Sequence, residues 1–516
     1  MRGYLWIRSE AFDHGVFNTS VRWTASKVLD FLGSLRVVVA KMHITLASWV
    51  EVTTSRCKGV ALTEAEAVAY WHVFSVLQQS ILGKNEDCLD IRIIGIVLMC
   101  QVFSPHRVRS DHIAMSTEMW PSNERANVSS PRHSPRGSSP RVAVASQSPV
   151  ARGRDAAAAL LNFVRQHFGH FLQITCFALT AEPDRVSTEE FDVLGLILGS
   201  GTPTLSESVP DLILRKTLPL KDLRKWVETN LTWNDKLYPA VEHGASSTDV
   251  GLARLVNISG LHKTTWFQRP SQPTTDFLNI TSCTDCVIYI TSQARFCLIA
   301  GCHECTIVMC AVSGVCTIQN CEKISVHVAA HCFKMENSID SSAYLYSHVP
   351  PILTGDTRGI KLAPFNVIYS QMASVLQGAN MRLEPEFVDV WAHPVCCTLG
   401  SPDGTMGGRS GQDDSNTSTY HFVHPKNFQP LVVPEASKHS LSRPTLCLPQ
   451  VYDDALKARI EEMLSFHRQM ADITDEAKRN HAQQAIQGHF RQWLQDTGKS
   501  RQLAELARMV QSGEHL

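Results

Sequence analysis

The chain has 516 residues, a length that implies roughly two to four folded units joined by linkers. Hydrophobic residues make up 44% and charged residues 19%, the balance of a chain that buries a sizeable core. Forty-eight basic and forty-nine acidic residues leave a net charge of −1, which argues against a nucleic-acid or membrane-surface partner.

At the N-terminus, MRGYLWIRSEAF is interrupted by Arg8 and Glu10 before an apolar stretch of signal-peptide length builds up, so secretion is not expected. The longest apolar run, Ile93 to Phe103, is about half of the ~20 residues a bilayer span needs and reads as a buried helix; no membrane span is expected. Residues 1–119 read as a helical region, with Thr63 and Glu66 spaced as a capping box ahead of the stripe Ala65, Ala69, Trp71, His72, Phe74, Val76 and Leu77. Residues 120–155 turn to Ser, Pro and Arg, with Ser-Pro at 130/131, 134/135, 139/140 and 148/149. Such a segment lacks the apolar mass to offset its ordering entropy and is expected to be a disordered linker, open to a proline-directed kinase. Helical patterning resumes over 156–240, where Ser187 precedes Glu189 and Glu190, and this stretch reads as the second half of the same region, split by the insertion. GSGTP at 199–203 lacks the Gly-Lys-Ser/Thr ending of a phosphate loop.

From about Thr274 to Met372 the chain becomes short runs of Ile, Val, Thr, Tyr and Cys, the texture of strands, and the domain is drawn at 250–372. Nine of the sixteen cysteines lie between Cys283 and Cys332. The pairs Cys283/Cys286 and Cys302/Cys305 have the spacing of a four-cysteine zinc ribbon. A shift of nineteen residues, however, aligns the region with itself. One column then holds Leu278, Cys297, Cys316 and Met335; the next holds Ile280, Ile299, Ile318 and Asn337; a third holds Cys283, Cys302, Cys321 and Asp340. Further columns run Cys286, Cys305, Ile324, Ala343; Ile288, Ile307, Val326, Leu345; and Ile290, Met309, Val328, Ser347. Columns of exchangeable small apolar residues are what a parallel β-helix requires, and in them cysteine acts as a small hydrophobe. A third Cys at 321, with Ile at 324, is foreign to a zinc site. The interior ladder is the preferred reading, the zinc ribbon the alternative, and no metal or cofactor is expected. His327, His331 and His348 follow no known ligand spacing.

Residues 373–445 read as an irregular segment containing a Gly/Ser/Asp-rich loop, and 446–512 as a C-terminal helical region. There Ala482, Ile486, Phe490, Trp493 and Leu494 form a stripe that is expected to dock on its own domain, a partner helix being the alternative.

The repeat, followed by PILTGDTRGIKLAPFNVIY at 351–369, resembles the C-CAP/cofactor C-like domain of the tubulin-binding cofactor C family; YLWIR, NLTWND, LPQVYDDALKARIEEML and HFRQWLQDTGKSRQL resemble flanking segments of one branch of it. The resemblance implies an α+β multidomain chain with a central right-handed parallel β-helix flanked by N-terminal and C-terminal α-helical regions. In cofactor C it implies GTPase activation on tubulin through an arginine finger in a Gln-x-x-Arg stretch, a group that stabilises the phosphoryl-transfer transition state. The matching stretch is VAAHCFKMENS at 328–338, which places Lys334 at the arginine position and His331 and Cys332 at the glutamine positions. Lysine lacks the planar fork of arginine, so no catalytic residue is assigned, and Lys334 is expected to be an exposed residue of a β-helix face. The expected function is a non-catalytic scaffold at centrosomes, spindle poles or basal bodies that organises their position and the Golgi, in cytoplasm and cytoskeleton. Its expected partners are centrosomal, basal-body or microtubule-associated proteins, with tubulin or a small GTPase as candidates. The rival reading is a GTPase-activating protein for tubulin or an Arl-type GTPase.

Overall fold

The computed structural model describes residues 5–17, 21–39, 42–55, 60–84, 87–103, 154–179, 183–209, 213, 216–238, 244–249, 254–268, 275–398, 419–434, 446–497 and 499–511. The Ser-Pro sites of the expected linker lie outside them. Helices α1 (Glu10–Asp13), α2 (Ala25–Val38), α3 (Leu46–Thr54), α4 (Glu64–Leu82) and α5 (Ile91–Val102) precede that segment, and α6 (Arg154–Thr175), α7 (Thr188–Val193) and α8 (Leu220–Asn230) follow it. Both sets share one core, in which Phe31, Tyr70, Phe74 and Ile94 pack with Leu160, Phe171 and Phe191. The capping boxes form at Thr63/Glu66 and Ser187/Glu190, and α5 is buried from Ile91 to Gln101. Strand β1 (Leu5–Ile7) joins the halves, pairing antiparallel with β2 (Leu198–Ser200) and parallel with β3 (Leu231–Thr232). A Cβ at Gly199 would lie 2.4 Å from the Trp6 indole nitrogen, so GSGTP begins as a closely packed strand.

The second unit is a β-solenoid. Strand β4 (Gly244–Asp249) pairs antiparallel with β5 (Arg254–Ser259), after which every pairing is parallel through β6 (Thr265–Phe267), β7 (Thr275–Thr281), β8 (Val287–Ala300), β9 (Thr306–Gln319), β10 (Ser325–Glu336), β11 (Ser342–Ser347), β12 (Ile352–Gly355), β13 (Ile360–Pro364), β14 (Val395–Thr398) and β15 (Tyr420–Phe422). Ile288, Ile307, Val326, Ala343 and Leu362 stack through successive coils into an apolar interior. The nineteen-residue step holds from β8 to β9 but fails one coil later. Cys316 pairs with Phe333, Ile318 with Met335, and Val326 with Ala343, so Met335, Asn337, Asp340, Ala343, Leu345 and Ser347 are not in the columns expected for them. Strand β10 has 12 residues where β9 has 14, and two register shifts between Met309 and Val315 absorb the difference. The segment 373–445, expected to be irregular, supplies β14 and β15 and extends the stack.

Each coil turns through a corner built on two residues in the left-handed backbone region: Ser282 and Asp285, Gly301 and Glu304, Asn320 and Lys323, Asn337 and Asp340. Between and after them the side chains at the cysteine positions point inward, and each donates to the carbonyl two residues back: Cys283 to Thr281, Cys302 to Ala300, Cys321 to Gln319, Cys286 to Thr284, Cys305 to His303. In the shortened coil Ser338 and Ser341 make the same bonds, to Glu336 and Ile339. Thiol and hydroxyl exchange because both are small inward donors. Burial and the neighbouring Cys316 hold the Cys297 thiol well above its usual pKa.

Helix α9 (Met372–Gly378) lies on one side of the stack, with Met372 and Leu376 in a cluster that contains Tyr289, Tyr346 and Phe365. After β15 come α10 (Gln450–Ala471), α11 (Glu476–Asp496) and α12 (Lys499–Gln511). Tyr452 of α10 joins Trp391 and Phe428 in the solenoid interior and donates to the Val423 carbonyl at 2.7 Å. Arg501 of α12 grips the Asp285 carboxylate at 2.9 Å, and Gln502 reaches the Tyr289 hydroxyl. The stripe on α11 does not dock as expected. Ile486, Phe490 and Trp493 are 44%, 52% and 47% exposed, because the chain is tied down on either side of α11, at Tyr452 and Arg501, and α11 itself stays off the solenoid.

The ladder reading predicts that Ile299→Ala lowers unfolding free energy by about 2–5 kcal/mol through its cavity, and Cys302→Ala by roughly 1 kcal/mol. Thermal denaturation with and without a zinc chelator checks this: the melting temperature should not change on chelation.

Candidate functional site

The segment that carries Lys334 is the second half of β10. Phe333 and Met335 point into the solenoid, and the alternation of a strand sends Cys332, Lys334 and Glu336 outward. In register, Lys334 lies between Thr317 of β9 and Ile352 of β12.

Outward here does not mean into solvent. Lys334 is 0% exposed, contrary to the expectation that it sits on an open face. The N-terminal domain covers that face. Phe296, Val315, Cys332, Ile352 and Val395 of the solenoid belong to the N-terminal core, and Arg295 donates to the Ser80 carbonyl at the end of α4. The loop after α1 comes down on Lys334, whose Nζ donates to the carbonyls of His14 at 2.9 Å and Val16 at 2.8 Å. The Phe17 ring centroid lies 4.9 Å from Nζ, and a Glu336 carboxylate oxygen lies 3.9 Å from it. Two further solenoid side chains meet the same loop: Thr317 Oγ1 shares a 2.8 Å hydrogen bond with His14 Nδ1, and Gln319 donates to the Asp13 carbonyl. The carbonyls at the end of a helix lack partners within the helix, and here the solenoid supplies them.

The loop is held from above as well. Gln101 of α5 donates to the Gly15 carbonyl and accepts from the Phe17 amide, both at 2.8 Å. A Cβ at Gly15 would stand 2.4 Å from the Ala11 carbonyl and 2.7 Å from Val97, so only glycine lets the loop enter this gap. His14 stacks on Phe296 with ring centroids 5.2 Å apart. Burial, and then the nearby Lys334, lower its pKa to about 3.

His331 and Cys332 flank this contact. Burial pushes the Cys332 thiol to about 12. The His331 ring stands edge-on to His348 at 4.7 Å, and His348 Nε2 accepts from the Arg382 amide. Burial, and then His331, lower the pKa of His72 on α4 to about 4. His327 lies apart, its ring nitrogens bonded to Asn366 and Ser325, and burial lowers it to about 4. Among the described residues, no three His, Cys, Asp or Glu side chains are grouped so as to hold a metal ion. His14, Thr317 and Gln319 carry no motif; only the fold brings them to Lys334.

Residues 276–394 match the family model described as tubulin binding cofactor C, across the rungs that carry the cysteine corners and Lys334. The solenoid carries a tubulin binding cofactor C domain. The similarity to curated relatives is low. TBCC domain-containing protein 1 of Gallus gallus is 20% identical over 184 residues, 36% of this chain and 30% of that protein. The Mus musculus protein of that name is 21% identical over 315 residues, 56% and 54%, and the Homo sapiens one is 21% identical over 256, 49% and 43%. The chain thus spans about half or less of these curated relatives. The solved tubulin binding cofactor C of Leishmania major shows 16% identity at a TM-score of 0.18, covering 33% of this chain and 99% of that one.

Lys334→Met keeps the bulk but leaves the His14 and Val16 carbonyls without their donor, and should cost about 1–3 kcal/mol in denaturant unfolding. His14, His72 and His327 stay neutral in the folded chain, whereas the unfolded chain takes up protons near pH 6.5. Their stability contribution is therefore complete above pH 6.5 and declines as pH falls toward 4. Melting temperature against pH should show this fall, and His327→Gln should flatten it.

Proposed function

We propose that this chain is a tubulin-cofactor-C-like scaffold that works through protein contacts rather than catalysis. It acts at microtubule-organising centres, and the positions of centrosomes or basal bodies and of the Golgi depend on it. The observation that carries the reading is the burial of Lys334 beneath the loop 14–17. An arginine finger acts by reaching a phosphoryl group on a partner. A side chain with both a partner domain above it and two carbonyls on its nitrogen is not free to do so. Tubulin remains a fitting ligand, because the matching family is described by tubulin binding. Contact falls to the corners of the solenoid, where Lys263, Lys323 and Arg358 are exposed in three separate coils.

Single-turnover GTP hydrolysis by tubulin and by Arl-type GTPases tests the catalytic half of this reading. The chain should accelerate neither, and Lys334→Arg, which supplies the family's residue type beneath the same lid, should not either. Acceleration by the wild type that Lys334→Ala abolishes, with the circular dichroism spectrum retained, would establish the GTPase-activating reading instead. For the cellular half, the tagged chain should coincide with a centriole or basal-body marker; a diffuse distribution overturns it.

A further inference from the structure

Helices α10 and α11 each leave an apolar line uncovered. On α10 it contains Ile460, Met463 and Leu464, between 43% and 46% exposed; on α11 it contains Ile486, Phe490 and Trp493. The two lines have one pattern. Leu456, Ile460, Leu464 and His467 on α10 recur at identical spacing as Ala482, Ile486, Phe490 and Trp493 on α11. In the same alignment Asp453 corresponds to Arg479 and Met470 to Asp496. Laid side by side in the same direction, the helices match Leu456, Ile460 and Leu464 to Ala482, Ile486 and Phe490, with the His467 ring against Trp493. They also set Asp453 and Asp454 of α10 against Lys478 and Arg479 of α11, which follow Asp475 and Glu476 in its first turn, and bring Arg468 close to Asp496.

The opposite direction weakens this electrostatic match. An antiparallel pair brings Asp453 and Asp454 toward Asp496, and Arg468 toward Lys478 and Arg479, like charge against like, with Arg491 near Asp454 and Glu476 near Arg468 offsetting only part of this. Yet only the four residues 472–475 separate α10 from α11 in one chain, a span of about 14 Å at full extension, too short to lay two helices of one chain side by side in the same direction. The favourable, parallel pairing therefore requires two chains.

Size points the same way. Helices of 22 and 21 residues are about 33 and 32 Å long, and a stripe ~10 Å wide on each covers ~300 Å². One stripe pair is too small for a stable complex. Both stripes of both chains together come to ~1,200 Å², where specific interfaces begin.

We infer that the chain forms a two-fold dimer in which α10 of each copy lies parallel to α11 of the other. The two contacts are identical by symmetry, so the arrangement closes and does not propagate. In the single chain Asp453 pairs with Lys457, and Arg479 with the Ile473 carbonyl. Dimerisation exchanges these local contacts for the intermolecular pair.

Light scattering coupled to size-exclusion chromatography on the full chain tests this. Wild type should show twice the mass of one chain, and Trp493→Glu and Leu464→Glu should each show a single mass with an unchanged thermal melt. Asp453→Arg should weaken association by about tenfold, and the double variant Asp453→Arg with Arg479→Asp should recover it. A wild type that is monomeric at about 50 μM overturns the inference. So does a dimer that Trp493→Glu leaves intact, or a double variant no tighter than Asp453→Arg alone.

Discussion

Everything in this protein hangs on the corner of the solenoid coil. Each corner bends the chain by holding two residues in the left-handed region, a conformation that disfavours side chains with a Cβ. Ser282, Asp285, Glu304 and Lys323 accept it nonetheless. Stacked corners offset the strain by bonding to one another: the His303 amide donates to the Cys283 carbonyl at 2.9 Å, Glu322 to Cys302 at 3.1 Å, and Ile339 to Cys321 at 3.0 Å. The space inside so sharp a bend admits only a small side chain, and one with a donor can also serve the carbonyl that the bend turns inward. Cysteine meets both conditions, and so does serine at 338 and 341.

Fixing the corners fixes the flat sides between them, and those sides are occupied. The N-terminal domain takes the side bearing Lys334, and α9 takes the side of Tyr289 and Tyr346. The N-terminal contact is more than apolar packing, since Thr317, Gln319 and Lys334 all end on backbone or side-chain atoms of residues 13–16. Such polar contacts lock one docking geometry, because a shift leaves buried carbonyls unpaired.

How much of this is legible in the sequence depends on distance along the chain. The ladder is legible because its partners recur at a short fixed interval, and the capping boxes at Thr63 and Ser187 because three residues define them. The two-residue shortening of β10 is not, since it is absorbed in the bend between Met309 and Val315 by side chains as ordinary as their neighbours. The burial of Lys334 is still less so: its covering carbonyls lie 318 and 320 residues away, and a lysine on an outward strand position reads as solvent-facing. On α11 the stripe was legible, but its exposure depends on where Tyr452 and Arg501 pull the chain.

A stack of like rungs has an inherent hazard, for its two terminal rungs offer unpaired backbone to any similar strand, including those of a neighbouring molecule. This chain closes both mouths by different means. At one end Trp391, Phe428 and Tyr452 stop the bore with rings. At the other, β4 runs against the direction of every later strand and shows Ala245, Ser246 and Ser247 to solvent. A reversed polar strand is a poor template for a parallel coil, so the solenoid is a segment of fixed length rather than the seed of a filament.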